Sequence, residues 1–218
     1  YSGNLGSQGL NYTYPIVLQE GELLGNIRAG QYAGFDAQGR TLIINQETGQ
    51  PTTERNLDRD GIINKHIPYV GTLERFHWHK EIFQITRIFN TKGFQIKVVT
   101  NQSGIQRGYY SIIDYTKICL HMLNKFEDYG INIEIRACPH KPETGCYCRK
   151  PNIGMFLDER NEEDVMIGDQ DSDMLAAKNA GIKNRWLLSE NVVSKYATKK
   201  FLSHEKLLKY LKMDQKCP

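Results

Sequence analysis

The 218-residue sequence predicts an α/β fold: a doubly wound, Rossmann-like parallel sheet with helices on both faces, a minimal cap and a zinc-binding loop. Three observations lead there. From Asp58 onward, strand-like and helix-like periodicities alternate, the order that builds a parallel sheet with helical crossovers. Every unusual polar cluster follows a predicted strand, and in open parallel sheets ligands bind beyond the carboxyl ends of the strands. Between the third and fourth strands lies a loop dense in cysteine and histidine.

Taken in order, residues 1–50 are rich in Gly, Asn, Gln and Tyr and read as an N-terminal extension with β character. Strands are expected at Tyr14–Gln19 and Thr41–Asn45, with Asp36-Ala37-Gln38-Gly39 as a hairpin turn. Asn11-Tyr12-Thr13 fits a glycosylation sequon, read here as a chance match. Residues 51–218 form the α/β domain. Its first strand leads into Asp58 but is the anomaly of the chain: of Thr52-Thr53-Glu54-Arg55-Asn56-Leu57 only Leu57 is apolar, where a central strand is normally an apolar run. A helix follows over about 79–91, with Ile82, Ile85, Ile88 and Phe89 at helical spacing and Gly93 as its stop. Phe94–Thr100 is a buried strand. Ser111–Tyr129 is a helix with Ile112, Tyr115, Ile118, Cys119 and Met122 on one stripe, ended by Gly130. Ile131–Cys138 is a strand, Ile153–Asp158 a short helix, Asp164–Gly168 a strand and Ser172–Ala180 a helix closed by Gly181. Trp186-Leu187-Leu188 is the last strand and Glu205–Lys212 an amphipathic tail helix.

Bulk properties narrow the function. A net charge of +3, with basic residues scattered rather than striped, does not call for nucleic acid; a small phosphorylated molecule suffices as a partner. The apolar runs are far too short for a membrane span and the N-terminus lacks signal-peptide order, so a cytoplasmic, membrane-free monomer is expected.

The polar clusters carry the chemistry. Asp58 and Asp60 sit at i and i+2, where side chains at a strand end point the same way, and Gly61 lets the chain turn behind them. In phosphoryl transfer Asp58 can attack phosphorus, and Asp60 can protonate the leaving oxygen and then activate water. Thr100 and nearby amides can hold phosphoryl oxygens, and Lys150 can neutralise them. Asp169, with Asp58 and the carbonyl of Asp60, offers the hard oxygen ligands that Mg2+ requires. Asp171, Ser172 and Asp173 lie where a helix begins, so capping accounts for them as well as chemistry does. Cys138, His140, Cys146 and Cys148 make two close pairs around a short loop, a closed set of three thiolates and one imidazole suited to structural Zn2+. His77 and His79 read as surface residues, and His66, His121 and His204 have no companion motif.

Asp58-Arg59-Asp60-Gly61, Val99-Thr100-Asn101-Gln102-Ser103-Gly104, Cys148-Arg149-Lys150-Pro151 and Gly168-Asp169-Gln170-Asp171-Ser172-Asp173 resemble, in order and spacing, the four motifs of the haloacid dehalogenase superfamily of aspartate-nucleophile phosphatases. The run DRDGIIN, PYV at 68–70, VTNQSGIQRG and the CPH…CYCRKP loop look like the D-glycero-D-manno-heptose 1,7-bisphosphate phosphatases and their histidinol-phosphate phosphatase relatives, over about residues 56–190. The resemblance implies Asp58 as nucleophile and Asp60 as acid/base, with Thr100 and Lys150 on the phosphate. It also implies Asp169 on magnesium, a zinc loop that fixes Arg149 and Lys150, and substrate contacts from Asn101, Gln102, Ser103, Arg107 and Arg149. The implied reaction removes the C7 phosphate from a small phosphorylated sugar in lipopolysaccharide or S-layer synthesis. Two rival readings are histidinol phosphate as substrate, and a catalytically inactive binding module that kept the rim but lost a productive first strand. The polar run before Asp58 favours the second, and the family has no counterpart of residues 1–50.

Overall fold

A computed structural model describes residues 31–35, 42–46, 53–156 and 161–214. The expected strand at 14–19 and the turn at 36–39 lie outside them. The described strands form one eight-stranded sheet: β1 (Gln31–Phe35), β2 (Leu42–Gln46), β3 (Glu54–Leu57), β4 (Gln95–Asn101), β5 (Ile133–Cys138), β6 (Val165–Gly168), β7 (Asn184–Leu188) and β8 (Lys199–Phe201), in the spatial order β1-β2-β5-β4-β3-β6-β7-β8. The six strands from β3 to β8 are all parallel. Their order starts at β3, runs outward to β5, then jumps back to the other side for β6, so a topological switch point lies between β3 and β6. That is where a doubly wound sheet opens its binding crevice. β1 and β2 pair antiparallel and join the edge at β5, so the segment read as an extension lengthens the same sheet.

Helices α1 (Ile82–Thr91), α2 (Ile112–Glu127), α3 (Asp171–Asn179) and α4 (His204–Asp214) complete the fold. One core, containing Leu57, Ile96, Val98, Ile133, Ile135, Val165 and Ile167 from the sheet, takes in α1, α2 and α4; a second, with Val99, Met166 and Leu187, takes in α3 together with Met155 and Phe156. Alternation along each strand sends neighbouring residues to opposite cores. Ser111 caps α2 by accepting from the Asp114 amide, and the Asp114 carboxylate reaches back, a closed capping box.

The polar first strand is real, and all four of its residues are buried. Glu54 and Arg55 are compensated by partners distant in sequence, while the buried Asn56 Nδ2 has none among the described residues. Glu54 forms an ion pair with Lys97 on the adjacent strand, and its amide donates to Asp164 Oδ1 at 2.8 Å. Arg55 donates to the carbonyl of Glu163 at 2.7 Å and lays its guanidinium 3.4 Å from the centre of the Phe94 ring. Leu57 alone enters the apolar core on this strand. The backbone ladder is unaffected by side-chain polarity, and Asp58 N donates to Ile167 O at 2.9 Å just past it. Asp58 is therefore reached by a regular parallel strand.

Three local expectations need correction. Residues 153–156 of the expected helix 153–158 form turns, because Gly154 packs directly against the backbone of Cys148 and the segment is too short to nucleate a helix while burying Met155 and Phe156. The first helix starts at Ile82 rather than 79, since Trp78 bridges to Asn64 and the His79 amide donates to Ile63 O. Trp186–Leu188 is not the last strand: Lys199-Lys200-Phe201 forms β8 beyond it, with both lysines exposed as expected of an edge.

Candidate active site

The switch point gathers the motif residues. Asp58 follows β3 and Asp169 follows β6, the two strands that flank it. Gly61 has φ +83°, and a Cβ there would lie 2.4 Å from Asp169 Oδ2, so only glycine allows both the turn and the close approach of the two loops. Gly168 is required for a related reason, since a Cβ would meet the Cβ of Asp173 at 2.4 Å.

Asp58, Asp169 and Asp173 each turn a carboxylate oxygen inward, and these oxygens lie within 4.8 Å of one another. Lys150 is buried among them and spends its three protons on Asp58 Oδ1 (2.7 Å), Asp173 Oδ1 (2.7 Å) and the carbonyl of Val99 (2.7 Å). Burial opposes its charge, but Asp173 and Asp58 more than restore it and hold Lys150 above the usual lysine range. Burial, with Asp173, Asp169 and Asp60 repelling, pushes Asp58 well above the usual carboxylate range despite Lys150. Asp169 is pushed up by burial and by Asp173. Three carboxylates against one ammonium leave negative charge without a counter-charge. Asp169 concentrates that deficit: its Oδ2 accepts from His66 Nδ1 and Gln170 Nε2, each at 2.9 Å, while Oδ1 is buried with no partner. An unpaired buried oxygen in an all-oxygen donor set fits a hard divalent cation such as Mg2+.

Asp60 is arranged differently. Its carboxylate is turned onto Arg59 (Nη2 to both oxygens, 2.8 and 2.9 Å), Asn64 Nδ2 (2.9 Å) and Gln102 Nε2 (3.0 Å). Burial alone would raise its pKa, but the Arg59 charge and these hydrogen bonds hold it below the usual carboxylate range. Thr100 is buried beside it, its Oγ1 accepting from Gln102 Nε2 at 2.8 Å. Gln102 also accepts from Tyr110 OH at 2.7 Å, so its amide is fully engaged inside the protein. Asn101 clamps the main chain of Lys150 at both ends, accepting from its N–H at 3.0 Å and donating to its carbonyl at 3.1 Å. Gln102 and Asn101, expected to touch substrate, thus hold Asp60 and Lys150 in place. Arg107 and Arg149 keep more freedom: Arg107 lies 3.9 Å from the exposed Glu143, and Arg149 donates to His140 O at 3.1 Å. Ser103 lies in the turn after β4 and accepts from the Arg107 amide through its carbonyl.

The zinc-loop residues converge. Cys138, His140, Cys146 and Cys148 bring one ligand atom each within 4.8 Å of the others, with Cys138 Sγ 3.6 Å and Cys148 Sγ 3.3 Å from His140 Nδ1. Hydrogen bonding from Cys138, offsetting the cost of burial, brings the Cys148 thiol down to about 5. Three sulfurs and a ring nitrogen brought together in this way fit Zn2+. Gln106 Oε1 ties this loop to the motif after β4, accepting from Lys141 N (2.5 Å) and Thr144 Oγ1 (2.8 Å).

A family profile of HAD-hydrolase-like proteins matches residues 147–200. The D-glycero-beta-D-manno-heptose-1,7-bisphosphate 7-phosphatase of Helicobacter pylori is 41% identical over 143 residues, covering 62% of this chain and 83% of the relative. The chain belongs to the heptose-bisphosphate phosphatase branch of the haloacid dehalogenase superfamily. The D-glycero-alpha-D-manno-heptose-1,7-bisphosphate 7-phosphatase of Campylobacter jejuni is 39% identical over 163 residues, covering 72% of this chain and 94% of that one. Among solved structures, the D,D-heptose 1,7-bisphosphate phosphatase of B. bronchiseptica, complexed with magnesium and phosphate, superposes with a TM-score of 0.65 at 23% identity, covering 74% of this chain and 99% of the other. A putative HAD-like phosphatase from Mesorhizobium loti gives the same TM-score at 25% identity, over 80% and 94% of the two chains. The protein is thus a phosphoric monoester hydrolase on the superfamily's fold.

Two site residues were not assigned from sequence. Asp173 caps α3 by accepting from Gln170 N and also pairs with Lys150, so the cap is at the same time a member of the carboxylate cluster. His66, without any motif companion, reaches Asp169; no local pattern marks it, because its partner is 103 positions away. Among the described residues, no helix is long and apolar enough to cross a membrane.

Proposed function

We propose that this enzyme removes the C7 phosphate of D-glycero-D-manno-heptose 1,7-bisphosphate and leaves the phosphate at C1. The substrate comes from relatives that carry that name, and the observation that carries the mechanism is the placement of Asp58 and Asp169 on the two strands flanking the switch point, with Lys150 holding one oxygen of Asp58. Lys150 occupies Oδ1 and leaves Oδ2 to attack phosphorus; the P–O bond to the sugar breaks and its electron pair leaves with the sugar oxygen. Asp60 delivers the proton to that oxygen, then takes one from the water that opens the aspartyl phosphate and frees inorganic phosphate. The four contacts that hold Asp60 below the usual carboxylate range favour its second role; for the first it must take a proton from solvent before the sugar oxygen leaves, giving up some of them. Thr100 and the amides after β4 hold the phosphoryl oxygens. Asp58, Asp169 and the main-chain carbonyl of Asp60 are the residues for Mg2+, which supplies charge neutralisation at the transferred group. Arg107 and Arg149 face the second phosphate. The zinc ligands keep the loop that carries Arg149 and Lys150 in register, a structural role with no open position for water.

The test is phosphate release from both anomers of heptose 1,7-bisphosphate and from histidinol phosphate. The reading expects the bisphosphate to be preferred. A preference for histidinol phosphate overturns the substrate, and no turnover of any phosphate ester by folded, metal-loaded protein overturns the mechanism.

A further inference from the structure

Beyond the phosphate site the rim carries an unexplained aromatic pair. Tyr69, in the loop after β3, and Tyr109, in the loop after β4, meet edge to face with ring centres 4.6 Å apart, yet they remain 43% and 61% exposed. Packing into a core does not explain them, since neither ring is buried. Tyr69 is also the only non-glycine residue with positive φ, +53°, among the described residues. That backbone strain is held in place by Arg75, whose guanidinium donates to the carbonyls of Pro68 (2.8 Å) and Tyr69 (3.0 Å). Strained backbone that the surroundings over-determine collects at ligand sites.

The pair is built onto the catalytic machinery. Tyr110, next to Tyr109, wedges its ring between Gly71 and Gly104, where a Cβ would stand 2.4 and 2.2 Å from it. Its hydroxyl donates to Gln102, and Gln102 donates to Asp60. The two exposed rings therefore belong to one welded loop pair, two hydrogen bonds away from the acid/base, on the carboxyl-end rim of the sheet.

We infer that Tyr69 and Tyr109 form an aromatic wall against which the sugar of the substrate packs its C–H face, so that the loops of this minimally capped enzyme select sugar phosphates over ringless ones. An aromatic ring suits that role, with a rigid apolar face for the sugar carbons at little cost in conformational entropy. The inference rests on the sugar reading of the previous section and adds where the sugar lies.

The experiment compares KM and kcat for heptose 1,7-bisphosphate with kcat/KM for acetyl phosphate, which has no ring, in the magnesium-loaded intact enzyme and in Tyr109→Ala, Tyr109→Phe and Tyr69→Gly. Tyr109→Ala is expected to raise KM for the sugar about three- to tenfold, the worth of one aromatic contact, with kcat and the acetyl phosphate reaction little changed. Tyr109→Phe should keep the wild-type KM. Tyr69→Gly relieves the strain while removing the ring, so a more stable protein with a raised sugar KM is expected. Equal losses on both substrates, or none on the sugar, overturn the inference. Where the intact enzyme cleaves acetyl phosphate but not the heptose, the substrate reading fails separately; the wall is then judged by the same ratio on the sugar phosphate that a panel finds to be cleaved, and an unchanged ratio in Tyr109→Ala overturns it.

Discussion

Replacing Lys150 by methionine removes the ammonium at the centre of the carboxylate cluster while roughly keeping the length of the side chain. In the intact protein this ammonium makes three hydrogen bonds of 2.7 Å, two of them to the buried Asp58 and Asp173. Breaking a buried ion pair by deleting one partner costs about 3–5 kcal/mol, because the other charge stays buried and unpaired. Here two carboxylates are stranded, so the upper part of that range is expected in metal-free protein at neutral pH. The loss has two signatures that a mere packing defect lacks. Lowering the pH protonates the stranded carboxylates, so the gap between variant and wild type should narrow as pH falls. Magnesium supplies the missing positive charge, and at about 100 times its Kd adds about 2.7 kcal/mol to any form that binds it only when folded. Urea unfolding with chelator and with saturating magnesium, at neutral and acidic pH, measures all of this. A metal-free loss below about 1 kcal/mol, or a loss indifferent to both pH and magnesium, would refute the electrostatic account of the site.

Three further outcomes are expected. Removing zinc by chelation, or Cys146→Ser, should lower activity by loosening Arg149 and Lys150 while leaving the sheet folded by circular dichroism; full activity with no zinc bound would sink the structural role. His66→Ala should weaken magnesium binding about tenfold by calorimetry, the usual cost of removing a partner that orients a metal ligand, and His66→Asn, whose amide can replace Nδ1–H, should recover most of it; unchanged affinity in the alanine variant would contradict the orienting role. His79, stacked on His204 at 3.8 Å, is brought down to about 4 by burial and by His204. Its folded pKa lies below the unfolded value, so the unfolded chain takes up the proton first and stability is lost as pH falls from about 6.5 to 4. After discounting for a partly exposed ring, that loss is about 1–2 kcal/mol, and His79→Gln should flatten the slope in that window.

The elements legible in the sequence were those whose pattern is local. The stripes of α1, α2 and α4 and the apolar runs of β4 and β5 are periodicities a few residues long; Asp58 and Asp169 directly follow strands, Thr100 sits at the carboxyl end of β4 and Lys150 in the loop after β5. What escaped was decided by distant partners. Glu54-Arg55-Asn56 reads as an anomalously polar strand until Lys97, Phe94 and Asp164 are brought against it by the fold. Lys199-Lys200-Phe201 has no strand signature of its own and pairs because β7 offers it an open edge. Asn101 and Gln102 have the amides expected of substrate contacts, but whether an amide is free depends on the Lys150 backbone, Asp60 and Tyr110. The cluster of Cys138, His140, Cys146 and Cys148 was readable because thiols and imidazole at close spacing have few other uses, whereas a single histidine such as His66 acquires meaning only from the residue it meets.

The central claim is that Asp58, carried by a polar but regular strand to the switch point, is the nucleophile. The most direct measurement is phosphate release from heptose 1,7-bisphosphate with magnesium, comparing the intact enzyme with Asp58→Asn. Activity in the intact enzyme that is abolished in the variant, with magnesium-dependent phosphoryl label trapped on the former alone, is the predicted result. Turnover that survives the loss of the Asp58 carboxylate would contradict the account.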